Sequence, residues 1–446
     1  MLLLTLSLAC GTPHVGDDTA PTAARIVPFA RTRAPLDETS AGGRAWKRGI
    51  IHLHSPWSHD ACDGDGLPDG RPDENCLAHL RDALCDLSMD FAMLTDHPAH
   101  AAYQPYEDLL LQRGQDTIVD GVANRIACAD GRGVLTVPGI EDELMPVGLD
   151  RHAAPRGAEA DALYNGTGTD TIEAEIAAGG TVIQAHTEQR TLQELLDRQA
   201  AGLAGVEIFN LHAMVDPDIR EEALGLDGFG LLDAIAPFLT GQTDAEPDLA
   251  FLAFYQEQGV SLERFDALNA VAPTLATAGT DAHENALPNL LSDGERVDSY
   301  RRMMRWFSNV LLVEGDSPAD LEAALRAGRN FVAFEILGTP SGFDAHVGEQ
   351  EMSGDAAVGD TLEVICPVLA ADTPQDGHAP TITVHVLRDG APFAEGCGAH
   401  TLTAPGVYRV RVDIVPTHLT AFLGDQAPAL VRSYPWLYTG AFRVRP

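Results

Sequence analysis

Between residues 45 and 340, short apolar runs alternate with longer segments whose apolar residues recur at helical spacing. The runs have the length and composition of β-strands. The seven strand candidates are RGIIHLH (48–54), DFAMLTDH (90–97), GVLTVPGIE (133–141), GTVIQAH (180–186), AGVEIFN (204–210), PTLATAGTDAH (273–283) and NVLLVEG (309–315). Repeated alternation of strand and helix predicts an α/β fold with a parallel sheet and helices outside it. Seven units in succession favour a closed barrel.

The segments between the runs have one apolar face. In CLAHLRDALCDL (76–87), Leu77, Leu80, Leu84 and Leu87 fall on one side of a helix. TLQELLDRQAAG (191–202) and SPADLEAALRAGRN (317–330) have similar patterns, and each begins with a residue that can cap a helix. We therefore expect an α/β barrel domain over residues 45–340.

The pattern changes near residue 340. Runs such as TITVHVLRDGAPF and GVYRVRVDIV alternate apolar and polar residues, and Gly, Pro and Asp separate them. This predicts a small antiparallel β-sandwich over residues 345–446. Contact with a substrate, attachment to a surface and packing against the barrel are all open roles for it.

The first ten residues, MLLLTLSLAC, form an apolar run that ends in small residues and a cysteine. They are similar to a bacterial lipoprotein signal with Cys10 as the lipidated residue, and an ordinary secretory signal is the alternative. Residues 11–44, rich in Pro, Thr and Ala, are predicted to be a flexible tether. No later run approaches the roughly 20 apolar residues of a membrane span. We expect an exported protein that contacts a membrane only through a lipid anchor.

Six cysteines follow Cys10 in the sequence. An even number of cysteines in an exported chain favours disulfides. Pairs that are near in sequence or lie in one domain are preferred, and buried free thiols are the alternative. The predicted pairs are Cys62–Cys76, Cys85–Cys128 and Cys366–Cys397.

The charge balance excludes one class of partner. The 446-residue chain has 29 basic and 66 acidic residues, which gives a formal net charge of −37. Proteins that bind nucleic acid polymers do so through Lys and Arg patches, so such a partner is not expected. An acidic chain can still bind a small anion at a metal centre, because the ions dominate the local field.

Histidines and carboxylates follow the carboxyl ends of five strand candidates. They are His52, His54, His59 and Asp60, then Asp96 and His97, then Glu141, then His186, then Asp281 and His283. Active-site residues of α/β barrels gather at this face, and residues two apart on a strand, such as His52 and His54, point to the same side. Imidazole and carboxylate groups suit divalent Zn, Mn or Fe. Taken singly, each residue is better explained as a core or loop residue.

The ordered motifs HLHSPWSHD, LTDH, PGIE, QAH and GTDAH resemble the polymerase-and-histidinol-phosphatase (PHP) superfamily of metal-dependent phosphoesterases over roughly residues 48–335. The resemblance implies a distorted (β/α)7 barrel, similar to a TIM barrel, with two or three divalent metal ions. The implied ligands are His52, His54, Asp60, His97, Glu141, His186, Asp281 and His283.

The match departs from the family pattern at one position. Many members carry a further metal-binding histidine where this chain has Met145. Either the third ion is lost, or His152 or another side chain replaces that ligand. In the first motif, spacing favours Asp60 over the neighbouring His59 as the ligand.

These residues predict an exported metal-dependent phosphoesterase that acts on a small phosphorylated substrate. The predicted catalytic groups are a metal-bound hydroxide, which attacks phosphorus, and the ligands Asp281 and His283. Two alternatives stay open: a metal-dependent hydrolase of a C–N or C–O bond, and a non-catalytic metal-binding surface module. The choice between monoester and diester, the metal and the oligomeric state are open as well.

Several further residues have two interpretations. Arg190 is a candidate for holding a phosphate oxygen, and covering the next helix is its alternative role. His100 and His212 are candidate rim residues, and Glu207 is expected to be structural. The loop CDGDGLPDGRPDENC (62–76) resembles a calcium-binding loop, and an acidic loop closed by a disulfide is the alternative. The candidate calcium ligands are Asp63, Asp65, Asp69 and Asp73.

Overall fold

The computed structural model describes residues 26–239 and 244–445, so the signal-like segment with Cys10 and the first part of the predicted tether lie outside the described residues. Seven strands close into a ring. In chain order they are β1 (Ala45–Leu53), β2 (Phe91–Asp96), β3 (Gly133–Ile140), β4 (Met145–Val147), β5 (Thr181–Gln184), β6 (Gly205–Asn210) and β7 (Leu275–Ala282). Each strand pairs with the next one in this order, and β7 pairs with β1. The expectation of a closed α/β barrel is confirmed.

The ring differs from a regular (β/α)7 barrel at β4. This strand is antiparallel to both of its neighbours, β3 and β5, whereas the other ring pairs are parallel. The connection from β3 is too short for a crossover helix, which a parallel neighbour would need. The run NVLLVEG, expected in the ring, lies in β8 (Ser308–Val313), which pairs antiparallel with the first half of β1. β9 (Asn330–Ala333) is antiparallel to β8.

Helices follow most of the ring strands. They are α1 (Glu74–Asp86), α2 (Ala158–Tyr164), α3 (Thr169–Ala177), α4 (Leu192–Ala201), α5 (Pro217–Glu222), α6 (Gly230–Ile235), α7 (Gly259–Val271), α8 (Tyr300–Met304) and α9 (Pro318–Arg326). All four leucines of the predicted apolar face of α1 are buried. Thr191 and Ser317 form capping boxes at the starts of α4 and α9, as their sequences predict.

Alternate residues of the ring strands belong to two different cores. Ile50, Leu94 and Val182 lie in the large core. Their chain neighbours Ile51, Met93 and Ile183 pack in a second, smaller buried group. This alternation is the period of a β-strand with both faces covered. The ring is therefore a packed core, and polar residues are left for its ends.

The C-terminal region is rich in β-strands, as predicted. The strands of four or more residues are β10 (Asp344–Val347), β11 (Gly354–Ala357), β12 (Thr361–Ile365), β13 (Thr381–Arg388), β14 (Ala391–Glu395), β15 (Gly398–Thr401), β16 (Gly406–Val415), β17 (Tyr434–Thr439) and β18 (Phe442–Arg445). β10, β12 and β15 belong to one sheet. β17 pairs with β9, so a second sheet continues directly from the barrel. Short helical turns within 417–430 interrupt the strands.

The described part of the predicted tether lies against the body of the protein. Ile26–Val27 pairs with Gln375–Asp376 of the C-terminal region. Arg33 forms an ion pair of 3.0 Å with Glu335. The structure therefore differs from the expected flexible tether over residues 26–44, because these long-range partners could not be read from local composition.

All three predicted disulfides, Cys62–Cys76, Cys85–Cys128 and Cys366–Cys397, are present. Disulfides are typical of proteins in oxidising compartments such as the periplasm and the extracellular space. Within the described residues, no helix has the length and apolar character needed to cross a membrane.

Candidate metal centre

The histidines and carboxylates that follow the ring strands meet at one end of the barrel. β1 is irregular here: His52 has a φ of 74°, and the pairing of β1 shifts register between Ile51 and Leu53. A left-handed conformation costs a residue with a β-carbon of the order of 1–2 kcal/mol. His52 and His54 face the same centre, as predicted. Strand alternation alone does not place them there, because β1 also has a bulge at His52.

Glu207 on β6 holds the bulged histidine in place. Its Oε1 lies 2.8 Å from His52 Nδ1, and its Oε2 accepts a hydrogen bond of 3.0 Å from the backbone N–H of His186. Gly279 makes this approach possible, since a Cβ at that position would lie 1.9 Å from Glu207 Oε1. Glu207 therefore orients two candidate ligands at once, in keeping with its expected structural role.

Asp281 is the carboxylate at the middle of the cluster. Its Oδ1 lies 3.1 Å from His52 Nε2 and 3.2 Å from His54 Nε2, and its Oδ2 lies 3.1 Å from His186 Nε2. Burial alone would raise the pKa of Asp281, but the charges of His52 and His212 and the contact with His186 hold it well below its usual range. Asp281 is therefore ionised and has imidazoles on both sides.

A second set of contacts adjoins the first. Asp60 Oδ2 lies 3.3 Å from His283 Nε2 and 3.6 Å from His97 Nε2. His97 Nδ1 lies 3.0 Å from Glu141 Oε2. The rings of His54 and His283 stack with centroids 3.7 Å apart, which joins this set to the contacts of Asp281.

The potential ligand atoms fall into four overlapping groups around this centre, in each of which they lie within 4.8 Å of one another. The groups are His54, Asp60, His97 and His283; His52, His186 and Asp281; His52, His54 and Glu141; and His212, Asp281 and His283. Every one of the eight expected ligands belongs to at least one group. The number of donors exceeds the four that a single tetrahedral ion requires.

The electrostatics separate the histidines into two kinds. Burial lowers the pKa of His52, but Asp281 and Glu207 outweigh it and raise the pKa to about 10. His97 is half-buried, and its contacts with Asp60 and Glu141 raise its pKa to about 11. The pKa of His54 lies well below its ordinary value because of burial and the neighbouring His283. His54 is thus neutral, the form in which imidazole binds a metal.

Several buried atoms of the centre have no hydrogen-bond partner among the described residues. They are Nε2 of His52, His54 and His283, and Oδ1 of Asp60. The two histidine nitrogens near Asp281 are in contact with its oxygen without the geometry of a hydrogen bond. Leaving a buried polar atom unpaired costs about 1–3 kcal/mol. Divalent cations, which bind imidazole nitrogens and carboxylate oxygens, fit this donor set.

The geometry also bears on the alternatives that the sequence left open. Among the described residues, the groups of potential ligands include Asp60 and do not include His59, whose side chain is 51% exposed. Met145 is fully buried in β4, within the second, smaller buried group of the ring. His152 Nε2 lies 2.9 Å from the carbonyl oxygen of Gln104, and His152 is likewise outside these groups. A third ion, if held here, would depend on Glu141 or His212.

Sequence reasoning underrated one residue of the centre. His212, expected at the rim, belongs to a group with Asp281 and His283. It lies in a helical turn, His212–Met214, where Asn210 Oδ1 accepts a hydrogen bond of 3.0 Å from the N–H of Ala213. A lone histidine in such a turn follows no periodic pattern. Its place just after the strand AGVEIFN was the one signal that could have found it.

Two other histidines have partners that orient them. Glu188 Oε1 lies 3.0 Å from His186 Nδ1, and Ser58 Oγ lies 2.7 Å from His54 Nδ1. Both contacts engage Nδ1 and leave Nε2 directed to the centre. Such partners fix the ring orientation of metal-binding histidines.

The predicted phosphate-binding residue and several of the predicted calcium ligands lie at the surface or in ion pairs of their own. Arg190 forms an ion pair of 2.8 Å with Glu143, and its role in holding phosphate stays a prediction. In the loop 62–76, Asp63 pairs with Arg296 and Asp73 caps α1. The other two candidate calcium ligands, Asp65 and Asp69, are exposed. Calcium binding by this loop stays a prediction.

No protein-family model and no curated protein matches the chain. Two solved structures are similar to it. A two-domain protein from Bacteroides vulgatus, described as containing a predicted PHP-like metal-dependent phosphoesterase, is 11% identical over 91% of this chain and 99% of its own, with a TM-score of 0.38. PsfC from Pseudomonas syringae is 14% identical over 63% of this chain and 89% of its own, with a TM-score of 0.36. At these values the likenesses carry no argument, so what the centre can do is inferred from this chain's own residues.

Proposed function

We propose that this protein is an exported metal-dependent phosphoesterase that hydrolyses small phosphate esters at a centre of two or three divalent ions. The observation that carries the proposal is the set of buried imidazole nitrogens without hydrogen-bond partners around Asp281. The ordered motifs that resemble PHP phosphoesterases support the choice of phosphate esters over other substrates.

The donor groups divide naturally between ions. His52, His186 and Asp281 would hold one ion. A second would be held by His54, Asp60, His97 and His283. Asp281 has one oxygen near His52 and His54 and the other near His186, so its carboxylate lies between the two sets.

The residues behind the ligands keep the histidines ready to bind. Glu207 and Glu188 lie beside Nδ1 of His52 and His186 and hold a proton at that atom. A divalent ion bound at Nε2, which faces the centre, would take the place of the second proton of each imidazole. Divalent ions bound to such a donor set activate water at neutral pH and stabilise negative charge on phosphate oxygens. In the overall reaction, a P–O bond forms from water, the ester P–O bond breaks, and the leaving alcohol takes the proton.

Export is part of the proposal. The three disulfides support an oxidising compartment. The lipoprotein-like sequence that ends at Cys10 supports attachment to the cell envelope through a lipid. Mass spectrometry of the protein purified from the membrane fraction of its host should find a lipid on Cys10. A mature N-terminus elsewhere, without lipid, would point to ordinary secretion.

Metal analysis combined with a substrate panel tests the activity. The purified chain, loaded separately with zinc, manganese or iron, is assayed on p-nitrophenyl phosphate, bis(p-nitrophenyl) phosphate and a p-nitroanilide amide. We expect at least one phosphate ester to be hydrolysed, and His52→Ala to abolish the turnover. His378→Ala is a matched control, because His378 is an exposed histidine of the C-terminal region.

The possible results separate the alternatives. Hydrolysis of the amide alone would replace the proposal with a hydrolase of C–N bonds. Tightly bound metal with no turnover of any substrate would favour a metal-binding surface module. Failure to retain any divalent ion would contradict both the proposal and these alternatives.

A further inference from the structure

An apolar cavity of about 220 Å³ adjoins the metal centre. It lies between the segment that follows β6 and the loop that follows His283. Its apolar walls are formed by Val215, Phe229, Leu231, Leu232, Ala286 and Leu287. His212 also lines it, and the same histidine belongs to the group with Asp281 and His283. The cavity and the metal centre therefore share a wall.

The walls of this cavity are held by hydrogen bonds. The buried Arg220 of α5 donates from Nη1 to the carbonyl oxygen of Met214 at 2.7 Å and from Nε to that of Asp227 at 3.0 Å. The N–H of Ser292 donates to the carbonyl oxygen of Phe238 at 3.2 Å, which ties the two sides together. Ligand pockets are usually pre-formed in this way.

The lining disfavours an anionic occupant. Apart from His212, the one titratable residue in the wall is Asp216, and its Oδ1 already accepts hydrogen bonds of 2.9 Å from the N–H groups of Asp218 and Ile219. Among the residues that the structure describes, no lysine or arginine lines the cavity. A second phosphate or a charged sugar derivative would find no counter-charge here.

The size of the cavity and its exposed rim indicate what fits. An apolar cavity of about 150 Å³ holds a benzene molecule, so this one has room for one ring or a chain of about six carbons. Phe229 and Leu232 are 70% and 52% exposed. An apolar occupant would cover part of this surface, which is a favourable change for large apolar side chains.

We propose that the cavity binds the apolar alcohol portion of a phosphate ester whose phosphate lies at the metal centre. The substrates are then monoesters of uncharged apolar alcohols about the size of a hexyl or benzyl group. This inference rests on the proposed function. Hydrolysis forms a P–O bond from water, breaks the P–O bond to the alcohol, and returns the proton to the alcohol in the cavity.

A comparison of ethyl phosphate with hexyl phosphate tests the cavity, because the two leaving groups differ in apolar length and hardly in acidity. The metal-loaded full chain should have a kcat/KM for hexyl phosphate about 10- to 100-fold above that for ethyl phosphate. Ala286→Phe, at an exposed position in the wall, should fill the cavity and reduce this ratio to near one. Equal kcat/KM values for the two esters in the wild-type chain would overturn the proposal.

Two further variants test whether the effect of Ala286→Phe comes from the cavity. Leu232→Ser removes apolar surface from the rim and should lower the hexyl-to-ethyl ratio without filling the cavity. Ala177→Phe, at an exposed alanine at the end of α3, is the matched control and should keep the wild-type ratio. A ratio that stays high in both Ala286→Phe and Leu232→Ser would place the specificity elsewhere and contradict the proposal.

Calorimetry separates this proposal from the proposed function. Hexylphosphonate and ethylphosphonate cannot lose their alkyl group to water, so their binding to the metal-loaded chain needs no turnover. One possible result is that hexylphosphonate binds about tenfold more tightly than ethylphosphonate, and Ala286→Phe removes this difference, while no ester is hydrolysed. That result would support the cavity as an apolar binding site and contradict the proposed phosphoesterase activity. Equal affinities would overturn the cavity, whatever the enzyme assay shows.

Discussion

Two regions of this protein bury an aspartate among nitrogen-containing side chains. They differ in how completely the polar atoms of these side chains are paired. Asp248 is 1% exposed and accepts hydrogen bonds from Arg301 at 2.8 and 2.6 Å, and from Arg302. Arg305 lies 3.3 Å away. Asp281 is also buried, but its neighbours are imidazoles, and Nε2 of His52 and Nε2 of His54 have no hydrogen-bond partner among the described residues. We call the first region the arginine cluster and the second the metal centre.

The difference shows how a purely structural site can be told from a functional one. In the arginine cluster, guanidinium groups supply both the charge and the hydrogen bonds that a buried carboxylate needs. In the metal centre, carboxylates lie beside buried histidine nitrogens that have no hydrogen-bond partner among the described residues. Burial and charge alone would describe both regions equally well. The unpaired ligand atoms distinguish the metal centre, and the following predictions test that distinction.

The largest effect is expected from Asp281→Asn. The change removes the charge that lies between His52, His54 and His186, so we expect loss of bound metal and at least ~100-fold loss of phosphoesterase activity. Elemental analysis and an assay with p-nitrophenyl phosphate measure the two effects. Asp197→Asn, at an exposed position of α4, is the control and should change neither. Full metal content in Asp281→Asn would contradict the assignment of this residue as a ligand.

The same substitution in the arginine cluster should act on stability. Asp248→Asn leaves Arg301, Arg302 and Arg305 buried without their shared counter-charge, which should reduce the free energy of unfolding by about 3–5 kcal/mol. Urea unfolding followed by circular dichroism measures the change. The folded variant should keep its metal content, because the arginine cluster is not part of the centre. A loss of metal with unchanged stability would reverse the distinction between the two regions.

Removal of metal should affect the two regions differently. An ion at a free concentration of 100 times its dissociation constant stabilises the native state by about 2.7 kcal/mol. A chelator should therefore lower the melting temperature of the wild-type chain and of Asp248→Asn by similar amounts. Asp281→Asn should show little shift. Calorimetric scans with and without chelator give the comparison, and an equal shift in all three proteins would indicate that the ions bind elsewhere.

Glu175 in α3 is a third kind of buried carboxyl, and it should give the smallest effect. Burial raises its pKa to about 8, and its Oε2 has no hydrogen-bond partner among the described residues. The native state therefore keeps a proton that the unfolded chain loses near its ordinary pKa of 4.5. Stability should fall as pH rises from about 4.5 to 8, because the unfolded state becomes favoured by deprotonation.

Glu175→Gln removes this dependence, since glutamine does not titrate. The variant and the wild type should unfold alike near pH 4, and the variant should be the more stable of the two at pH 8 and above. Urea titrations at several pH values provide the measurement. If the variant were instead less stable than the wild type at pH 8, Glu175 would be ionised beside a cationic partner.

The sequence predicted most of the ring because its strands carry a clear signal. Apolar runs that end in a polar residue identified β1, β2, β3, β5, β6 and β7, and the resemblance of the ordered motifs to a known superfamily implied the eight candidate ligands. β4 was missed because three residues, Met145–Val147, are too short to show a period. NVLLVEG was placed in the ring because an apolar run does not reveal whether its strand is parallel or antiparallel to its neighbour.

Other features depend on partners far apart in the sequence. The bulge at His52 requires Glu207 and the missing side chain of Gly279, which lie on two other strands. The ordered course of residues 26–44 depends on Glu335 and on the strand at Gln375–Asp376. The position of His212 depends on a turn held by Asn210. None of these contacts leaves a local pattern, so spacing and composition could not predict them.

The disulfide Cys62–Cys76 has a consequence for where the protein can mature. The N–H of Cys62 donates to the carbonyl oxygen of His283 at 2.9 Å, and Asp60 precedes Cys62 by two residues. Cys76 begins the buried face of α1 and lies 3.8 Å from the hydroxyl of Tyr300, which in turn donates to the carbonyl oxygen of His54. Oxidation of this pair therefore clamps the segment that carries Asp60 onto the strand ends that carry His54 and His283. Under the proposed function, a chain in a reducing compartment would lack this clamp, and its metal centre would be complete only after the pair is oxidised.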